Sequence, residues 1–321
     1  MTQDVYVVVE HLRGQVMDIS YVMLAAARKL AGSTGGQVVA VLLGHNAQTL
    51  AQGLGADRVL YADDKALADF SPTAYQEVLQ ALLAERQPRV VLMGNTSVGA
   101  DVACGVAAKL DLPLVGSCLT IGEGGNPISR ICGGKIMAET ELADGTVVMT
   151  MVPGGYAPEA GRSSQAASME TLTFPPVGEQ RVTLRQYIEP EAGDVDIAKE
   201  AILVAVGRGI QNQDNLELAE ALAQALGGVV CASRPVVDQG WLPTSRLVGK
   251  SGKAVKPKLY LALGISGAPE HMEALSGVEM LIAINMDPGA PIFESAKYGA
   301  EADLFELVPA LTEKIQQAKA S

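Results

Sequence analysis

Apolar residues along this chain come in short uninterrupted runs, separated by stretches where they recur at three- and four-residue spacing. Residues 5–9, 37–43, 58–61 and 89–93 are such runs, rich in Val and Leu and too short for helices. Between them, residues 19–30 carry Ala-rich helical faces and 47–54 a short helical pattern. Residues 72–86 form a longer one, with Pro72 in the first turn, where proline sacrifices no hydrogen bond. Another helix is expected over 99–110, after Asn95-Thr96-Ser97. Buried strands alternating with helices of this length predict right-handed βαβ units on a parallel sheet.

The pattern changes after Pro113. Residues 114–121, 129–136 and 146–152 are strand-like, with Gly122-Glu123-Gly124-Gly125-Asn126 and Asp144-Gly145 as turns between them. They predict an antiparallel addition to the first sheet. A polar stretch, 153–167, precedes strand-like 171–174 and 181–187, and acidic 189–199 reads as a linker. The expected division is an N-terminal α/β domain over 1–190 and a second domain over 191–321. In the second, 202–206, 229–232, 259–263, 280–284 and 303–307 are expected strands. Residues 215–226, closed by Gly227-Gly228, and 308–319 are expected helices. The fold class is α/β throughout, with the C-terminal domain doubly wound.

Composition narrows the possibilities. The 321 residues are 48% hydrophobic and 19% charged, the profile of a globular protein rather than a disordered one. A net charge of −12 argues against nucleic acid as a partner, and 4% aromatics leave little for stacking on bases. Cys104, Cys118, Cys132 and Cys231 include no CxxC pair, so dithiol, zinc-ribbon and iron–sulfur sites lack support. Met1-Thr2-Gln3-Asp4 has no basic lead-in, and no apolar stretch is long enough to span a membrane. The expectation is a cytoplasmic protein.

Candidate chemistry gathers in turns that follow apolar runs: Gly207-Arg208-Gly209, Ser233-Arg234-Pro235, Val248-Gly249-Lys250-Ser251-Gly252, Gly264-Ile265-Ser266-Gly267 and Asn285-Met286-Asp287-Pro288. In a parallel sheet such turns line the carboxyl edge, where ligands bind. Small residues let backbone N–H groups approach an anion, and Arg208 and Arg234 add positive charge. Those features call for a phosphate-bearing cofactor. Named motifs are nonetheless incomplete. The G-x-G-x-x-G fingerprint fails at Asn212, the P-loop pattern at Thr244, and G-x-S-x-G is absent around Ser266. His11, His45 and His271 are too dispersed for a metal triad, and only His271 stands beside a candidate turn. Asp63-Asp64 and Glu189/Glu191 read as solvated carboxylates. A stand-alone nucleotide-binding oxidoreductase and a non-redox nucleotide-binding scaffold both remain open on these residues.

Taken in order, the turns above resemble the α subunit of electron transfer flavoprotein. The resemblance extends through Ala232 to Asp238, Leu259 to Ala268, His271, Ala283-Ile284-Asn285, Ala290-Pro291-Ile292-Phe293 and Ala302-Asp303-Leu304-Phe305. The N-terminal half matches more loosely, through Gly94-Asn95-Thr96-Ser97 and the helix after it. The resemblance implies a heterodimer with an electron transfer flavoprotein β subunit, which packs on the N-terminal domain. It also implies FAD on the C-terminal domain and an electron carrier rather than a substrate-converting enzyme, with no catalytic residue and no metal. An acyl-CoA dehydrogenase-type flavoprotein would be its redox partner. By motif position Arg208 would meet the pyrophosphate or adenosine side, and Ser233 and Arg234 the flavin. Arg234 would favour the anionic one-electron-reduced ring. Val248, Gly249, Lys250 and Ser251 would wrap the ring, the Ser251 hydroxyl near N5. Ser266, Gly267, Ala268, Pro269, Glu270 and His271 would cover the pyrophosphate side and the O2 edge. Asn285, Asp303 and Leu304 would bind adenosine and ribitol.

Departures are informative. The family commonly carries Gln at the position of Lys250, Thr at Ser251, Ile-Gln at Pro269-Glu270 and Lys at Met286. Lys250 would add charge by the flavin or pair with Glu270. The forms Ser233-Arg234-Pro235, Gly240-Trp241-Leu242-Pro243 and Lys250-Ser251-Gly252-Lys253 are more similar to the electron-bifurcating branch than to the respiratory one.

Overall fold

A computed structural model describes residues 2–132, 136–187, 195–275 and 277–320. The chain divides into two compact units, Met1–Tyr187 and Ile188–Ser321.

Valine-rich β1 (Val5–Val8) sits at the centre of the first unit, with all four side chains buried. After a tight hairpin, β2 (His11–Leu12) with β3 (Gln15–Val16), comes α1 (Asp18–Thr34). This helix stops where Gly35 turns left-handed, with φ 75°, and its N–H caps the Ala31 carbonyl. Then follow β4 (Val38–Gly44), β5 (Arg58–Asp63), α2 (Pro72–Arg86), β6 (Val90–Gly94) and α3 (Gly99–Leu110). The Ser71 hydroxyl caps α2. Alternate residues of β1 face opposite cores. Val5 and Val7 pack with Leu24 and Leu30 of α1, whereas Tyr6 and Val8 pack with Leu79 of α2 and Val106 of α3.

The remaining strands of this unit are β7 (Leu114–Ile121), β8 (Pro127–Ile131), β9 (Ile136–Glu139), β10 (Val147–Met151) and β11 (Ser168–Thr171). The sheet runs β11-β5-β4-β1-β6-β10-β7-β8-β9. It is parallel from β11 through β7, and β8 and β9 add antiparallel. The expected antiparallel addition is therefore present, with two corrections. The run 129–136 divides into β8 and β9. The run 146–152 is β10, which enters parallel between β6 and β7 rather than joining the addition. All five β10 side chains are buried, as a strand covered on both faces requires.

Other sequence expectations shift for local reasons. Residues 47–54 make only a short turn over Gln48–Ala51, and the chain bends at Gly53, φ 82°. The strand expected at 171–174 lies earlier, as β11. Residues 181–187 form no strand: Val182 is 75% exposed, and Tyr187 reaches Asp69 through its hydroxyl. Of the expected linker, 188–194 lie outside the described residues. Its far end belongs to the second unit, because Ile197 is wholly buried in that core and Asp196 pairs with Lys253 at 2.7 Å.

The second unit has β12 (Ile202–Val206), α4 (Leu216–Leu226), β13 (Val229–Ala232), α5 (Arg234–Asp238) and β14 (Leu259–Leu263). These are followed by α6 (Pro269–Met272), β15 (Met280–Asn285), β16 (Tyr298–Glu301) and α7 (Leu304–Ala320). All pairs are parallel, in the order β13-β12-β14-β15-β16. Leu216 and Leu222 of α4 and Leu304 and Val308 of α7 cover one face; Val248, Val255, Ile265 and Ile292 cover the other. The expected strand at 303–307 is instead the start of α7. The Asp303 carboxylate accepts the Phe305 N–H at 2.8 Å and opens the helix. The last strand is β16, an edge whose Tyr298 is exposed, so it lacks the apolar run that marks buried strands.

Met149 is fully buried on β10. Met149→Ala is expected to cost the first unit about 2–5 kcal/mol. Urea unfolding should show this as a lower midpoint with an unchanged slope.

Candidate functional site

Four strands of the second sheet end in turns singled out above, and the fifth, β16, ends just before Asp303 and Leu304. Arg208 follows β12, Ser233 and Arg234 follow β13, and Ser266, Gly267 and Ala268 follow β14. Asn285 closes β15, and Asp303 and Leu304 follow β16. The segment 248–251 reaches the same edge from elsewhere in the chain, since the Val248 N–H donates to the Ala232 carbonyl at the end of β13. The fold thus brings all the expected positions to one carboxyl edge. Their exposures differ. Arg208, Arg234, Lys250, Ser251, Ser266, Ala268, Pro269 and Glu270 are exposed, Gly249, Asn285 and Asp303 are half-buried, and Ser233, Val248, Gly267, His271 and Leu304 are buried.

Backbone contact between turns shapes this edge. Gly209 donates to the Gly264 carbonyl at 3.1 Å, and Gly207 to Leu263 at 2.8 Å. A Cβ on Gly207, Gly209 or Gly264 would collide with the opposing backbone. Gly264 also holds φ 62°, in the left-handed region. The next turn is fixed by Gly267, φ 86°, whose missing Cβ makes room for the backbone of Ile292. Asn285 spends its side chain on structure: its amide donates to the Ile265 carbonyl at 2.9 Å, and its oxygen accepts the Asp287 N–H. Between β12 and α4, Gln211 has φ 71° and ψ −46°, with Asn212 N–H on the Ile210 carbonyl at 2.9 Å. That is a γ-turn of the strained hand.

His271 is among the buried members of this set. Its imidazole is only 6% exposed and lies beneath the 248–251 segment. Nδ1 is 3.1 Å from the Val248 carbonyl, which only accepts, so Nδ1 carries the hydrogen. Nε2 then accepts from the Tyr260 hydroxyl at 2.9 Å, and the Cys231 thiol bonds to that hydroxyl from behind. Burial holds the imidazole down at about 4 and pushes the Cys231 thiol up to about 12. The ring is thus a neutral strut, pinning the 248 carbonyl to the sheet. Alongside it the Lys250 N–H donates to the Glu270 carbonyl at 2.7 Å. The Lys250 ammonium stands 3.9 Å from Glu273, rather than pairing with Glu270. Tyr260 and Cys231 were invisible as site residues in the sequence, since each sits inside an apolar run.

Arg234 is 67% exposed and lies 3.3 Å from Asp238, one turn further along α5. Among the described residues no cluster of three His, Cys, Asp or Glu is placed to hold a metal, and no helix is long and apolar enough to cross a membrane.

Fold and site together define a doubly wound α/β protein whose C-terminal unit presents small, hydrogen-bonding and cationic residues at the carboxyl edge of its sheet. Two family profiles match it: the electron transfer flavoprotein domain over residues 5–177, and the electron transfer flavoprotein FAD-binding domain over 196–276. The chain is 36% identical to the electron transfer flavoprotein subunit alpha of Thermoanaerobacterium thermosaccharolyticum, over 99% of both chains. It is 33% identical to that of Bacillus subtilis, over 99% of this chain and 98% of the relative. It is also 33% identical to the acryloyl-CoA reductase electron transfer subunit beta of Anaerotignum propionicum, over 99% of this chain and 96% of that one. The chain belongs to the electron transfer flavoprotein α-subunit family, whose business is electron transfer.

The buried neutral ring has a pH consequence. The unfolded chain protonates His271 near 6.5, while the folded state resists protonation until about 4. Stability from this group is therefore full above pH 6.5 and is lost as pH falls toward 4, by about 3 kcal/mol. His271→Gln should flatten that loss relative to wild type, measured by urea unfolding of the second unit at a series of pH values.

Proposed function

We propose that this chain is the FAD-binding subunit of a heterodimeric electron carrier, with the flavin cofactor held on the carboxyl edge of the second sheet. The observation that carries this reading is the convergence of five strand ends and the 248–251 segment on one edge. Its turns are stripped of Cβ atoms where backbones meet, and Arg208, Arg234 and Lys250 stand at its exposed rim. These residues fit FAD. Backbone N–H groups and Arg208 suit a pyrophosphate, while Ser233, Arg234 and the 248–251 segment suit the electron-rich flavin ring. Gly267, Ala268, Pro269 and Glu270 would line the pyrophosphate side with Ser266. Asn285, Asp303 and Leu304 would stand toward adenosine and ribitol. Bound there, FAD would supply one- and two-electron chemistry.

The chain's own residues do the positioning. His271 holds the Val248 carbonyl back, so the peptide groups of Gly249, Lys250 and Ser251 are presented from a fixed base. Arg234 contributes a guanidinium charge, and the Ser251 hydroxyl offers a neutral hydrogen bond. A stand-alone oxidoreductase would need an acid or base at this edge. Its one candidate, His271, is buried with both nitrogens engaged, and that weighs against the reading.

The partner in this reading is an electron transfer flavoprotein β subunit seated on the N-terminal unit. The redox partner is an acyl-CoA dehydrogenase-type flavoprotein, and the similarity to an acryloyl-CoA reductase electron transfer subunit supports an acyl-CoA enzyme in that place. The lysine at 250 and the Ser-Arg-Pro turn at 233–235 favour the bifurcating arrangement, in which NADH and ferredoxin join the exchange. A cytoplasmic location accompanies the proposal.

Co-expressed with its β subunit, the chain is expected to purify yellow and to release FAD on denaturation. A colourless preparation would overturn the assignment. In the loaded protein Arg234→Ala should lower the one-electron potential of the flavin by about 60 mV, equivalent to ~1.4 kcal/mol. An unchanged potential in spectroelectrochemical titration would remove Arg234 from that role.

A further inference from the structure

Both units change the direction of strand order at one point. In the first, the chain lays β4 and β5 to one side of β1 and then places β6 on the other. In the second, it lays β13 to one side of β12 and then places β14 on the other. The crevice between the two central strand ends is where sheets of this kind receive ligands. The registers correspond. Val7 pairs with Leu92, which sets Gly94 level with Val9; Val206 pairs with Leu263, which sets Gly264 level with Gly207. One residue further along the central strand's exit stands Glu10 in the first unit and Arg208 in the second. The same place thus carries opposite charge.

Glu10 is built into its position. Its N–H donates to the Ser20 hydroxyl at 2.8 Å, and that hydroxyl donates back to the Glu10 carbonyl at 3.0 Å. Met17 N–H also donates to this carbonyl, at 2.9 Å. The side chain then turns inward, leaving the residue 8% exposed. Thr96 Oγ1 lies 2.9 Å from both carboxylate oxygens and accepts the Gly99 N–H at 2.9 Å, while Gly94 adds a backbone hydrogen bond. Gly94 ends β6 and Gly99 begins the twelve-residue α3; a Cβ on either would run into Oε1. A carboxylate flanked by two bare glycines, a threonine hydroxyl and the first turn of a helix occupies the surroundings that sheets of this topology offer to a phosphate.

We propose that Glu10 is the specificity determinant that keeps nucleotides and other phosphate ligands out of the N-terminal unit. Its carboxyl group fills the position between Gly94, Thr96 and Gly99 that a phosphate would need. Arg208 at the matching position leaves the C-terminal unit to receive one. Two crevices of one topology are thereby divided, one closed by a resident acid and one charged to accept a ligand. The statement about Glu10 stands whatever the C-terminal unit holds.

The threonine methyl of Thr96 is a local reporter. In the full chain labelled with 13C at threonine methyls, wild type titrated with AMP is expected to leave the Thr96 signal unmoved. Glu10→Gly should give a saturable shift, with apparent affinity at least about tenfold above any limit set for wild type. Glu10→Ser provides a second opened variant should glycine loosen the turn, and thermal melting by circular dichroism shows whether each is folded. A saturable Thr96 shift in wild type would overturn the proposal. So would folded Glu10→Gly and Glu10→Ser proteins that both leave the signal unmoved. Failure of FAD to bind the C-terminal unit would move no Thr96 signal, so the two readings fail separately.

Discussion

The C-terminal unit is organised around a place where two turns touch without side chains. Gly207 and Gly209 leave β12, Gly264 leaves β14, and their backbones meet at hydrogen-bond distance. From this contact the rest of the edge follows by short links. Gly264 N–H reaches the Ile284 carbonyl on β15, Asn285 holds Ile265, and Ile292 N–H donates to the Ser266 carbonyl. A methyl group at any of the three glycines would separate the strand exits and misplace every turn beyond them. The carboxyl edge is therefore a product of backbone proximity, and polar side chains are added to a frame already set.

Much of that frame was legible because buried strands leave a plain trace. Residues 5–9, 38–43, 202–206 and 259–263 are apolar throughout, and the structure places each in a central strand covered on both faces. Two failures share one cause, since position in a sheet is not written in local pattern. β10 looked like one arm of a hairpin because Asp144-Gly145 precedes it, but its partners, β6 and β7, come from earlier in the chain. β16 lies at an edge with exposed Tyr298, so its apolar signal was weak, and the strand was expected at 303–307 instead. Four of the five candidate turns follow or close strands, because glycine and serine there obey backbone geometry, whereas 248–252 follows no strand. Partners were not readable. Tyr260 behind His271, Asp238 beside Arg234 and Glu273 beside Lys250 all depend on tertiary placement.

The histidine and the arginine divide the electrostatics of the edge between them. A titrating imidazole next to a redox cofactor would make its potential follow pH; burial beneath Val248 keeps His271 neutral through the physiological range. What remains on the exposed rim is permanent charge from Arg208 and Arg234, together with Lys250. This arrangement favours an anionic ligand.

Permanent charge on an exposed rim has limited reach. Arg234 is 67% exposed and partly compensated by Asp238, which is itself 61% exposed. In water two unit charges at 4 Å interact by only about 1 kcal/mol, whereas near a protein surface the figure rises to about 4 kcal/mol. A guanidinium in this position can act strongly on a cofactor ring only when water is excluded from above it. With Arg234 this exposed, the tuning proposed for it calls for a second surface laid over the ring. Such a cover would also set the competition between Asp238 and the ring for the same guanidinium, since lowering the local dielectric strengthens both attractions. If the chain holds a flavin and pairs with a β subunit as proposed, the exposed ion pair on α5 is the point at which the two would be coupled.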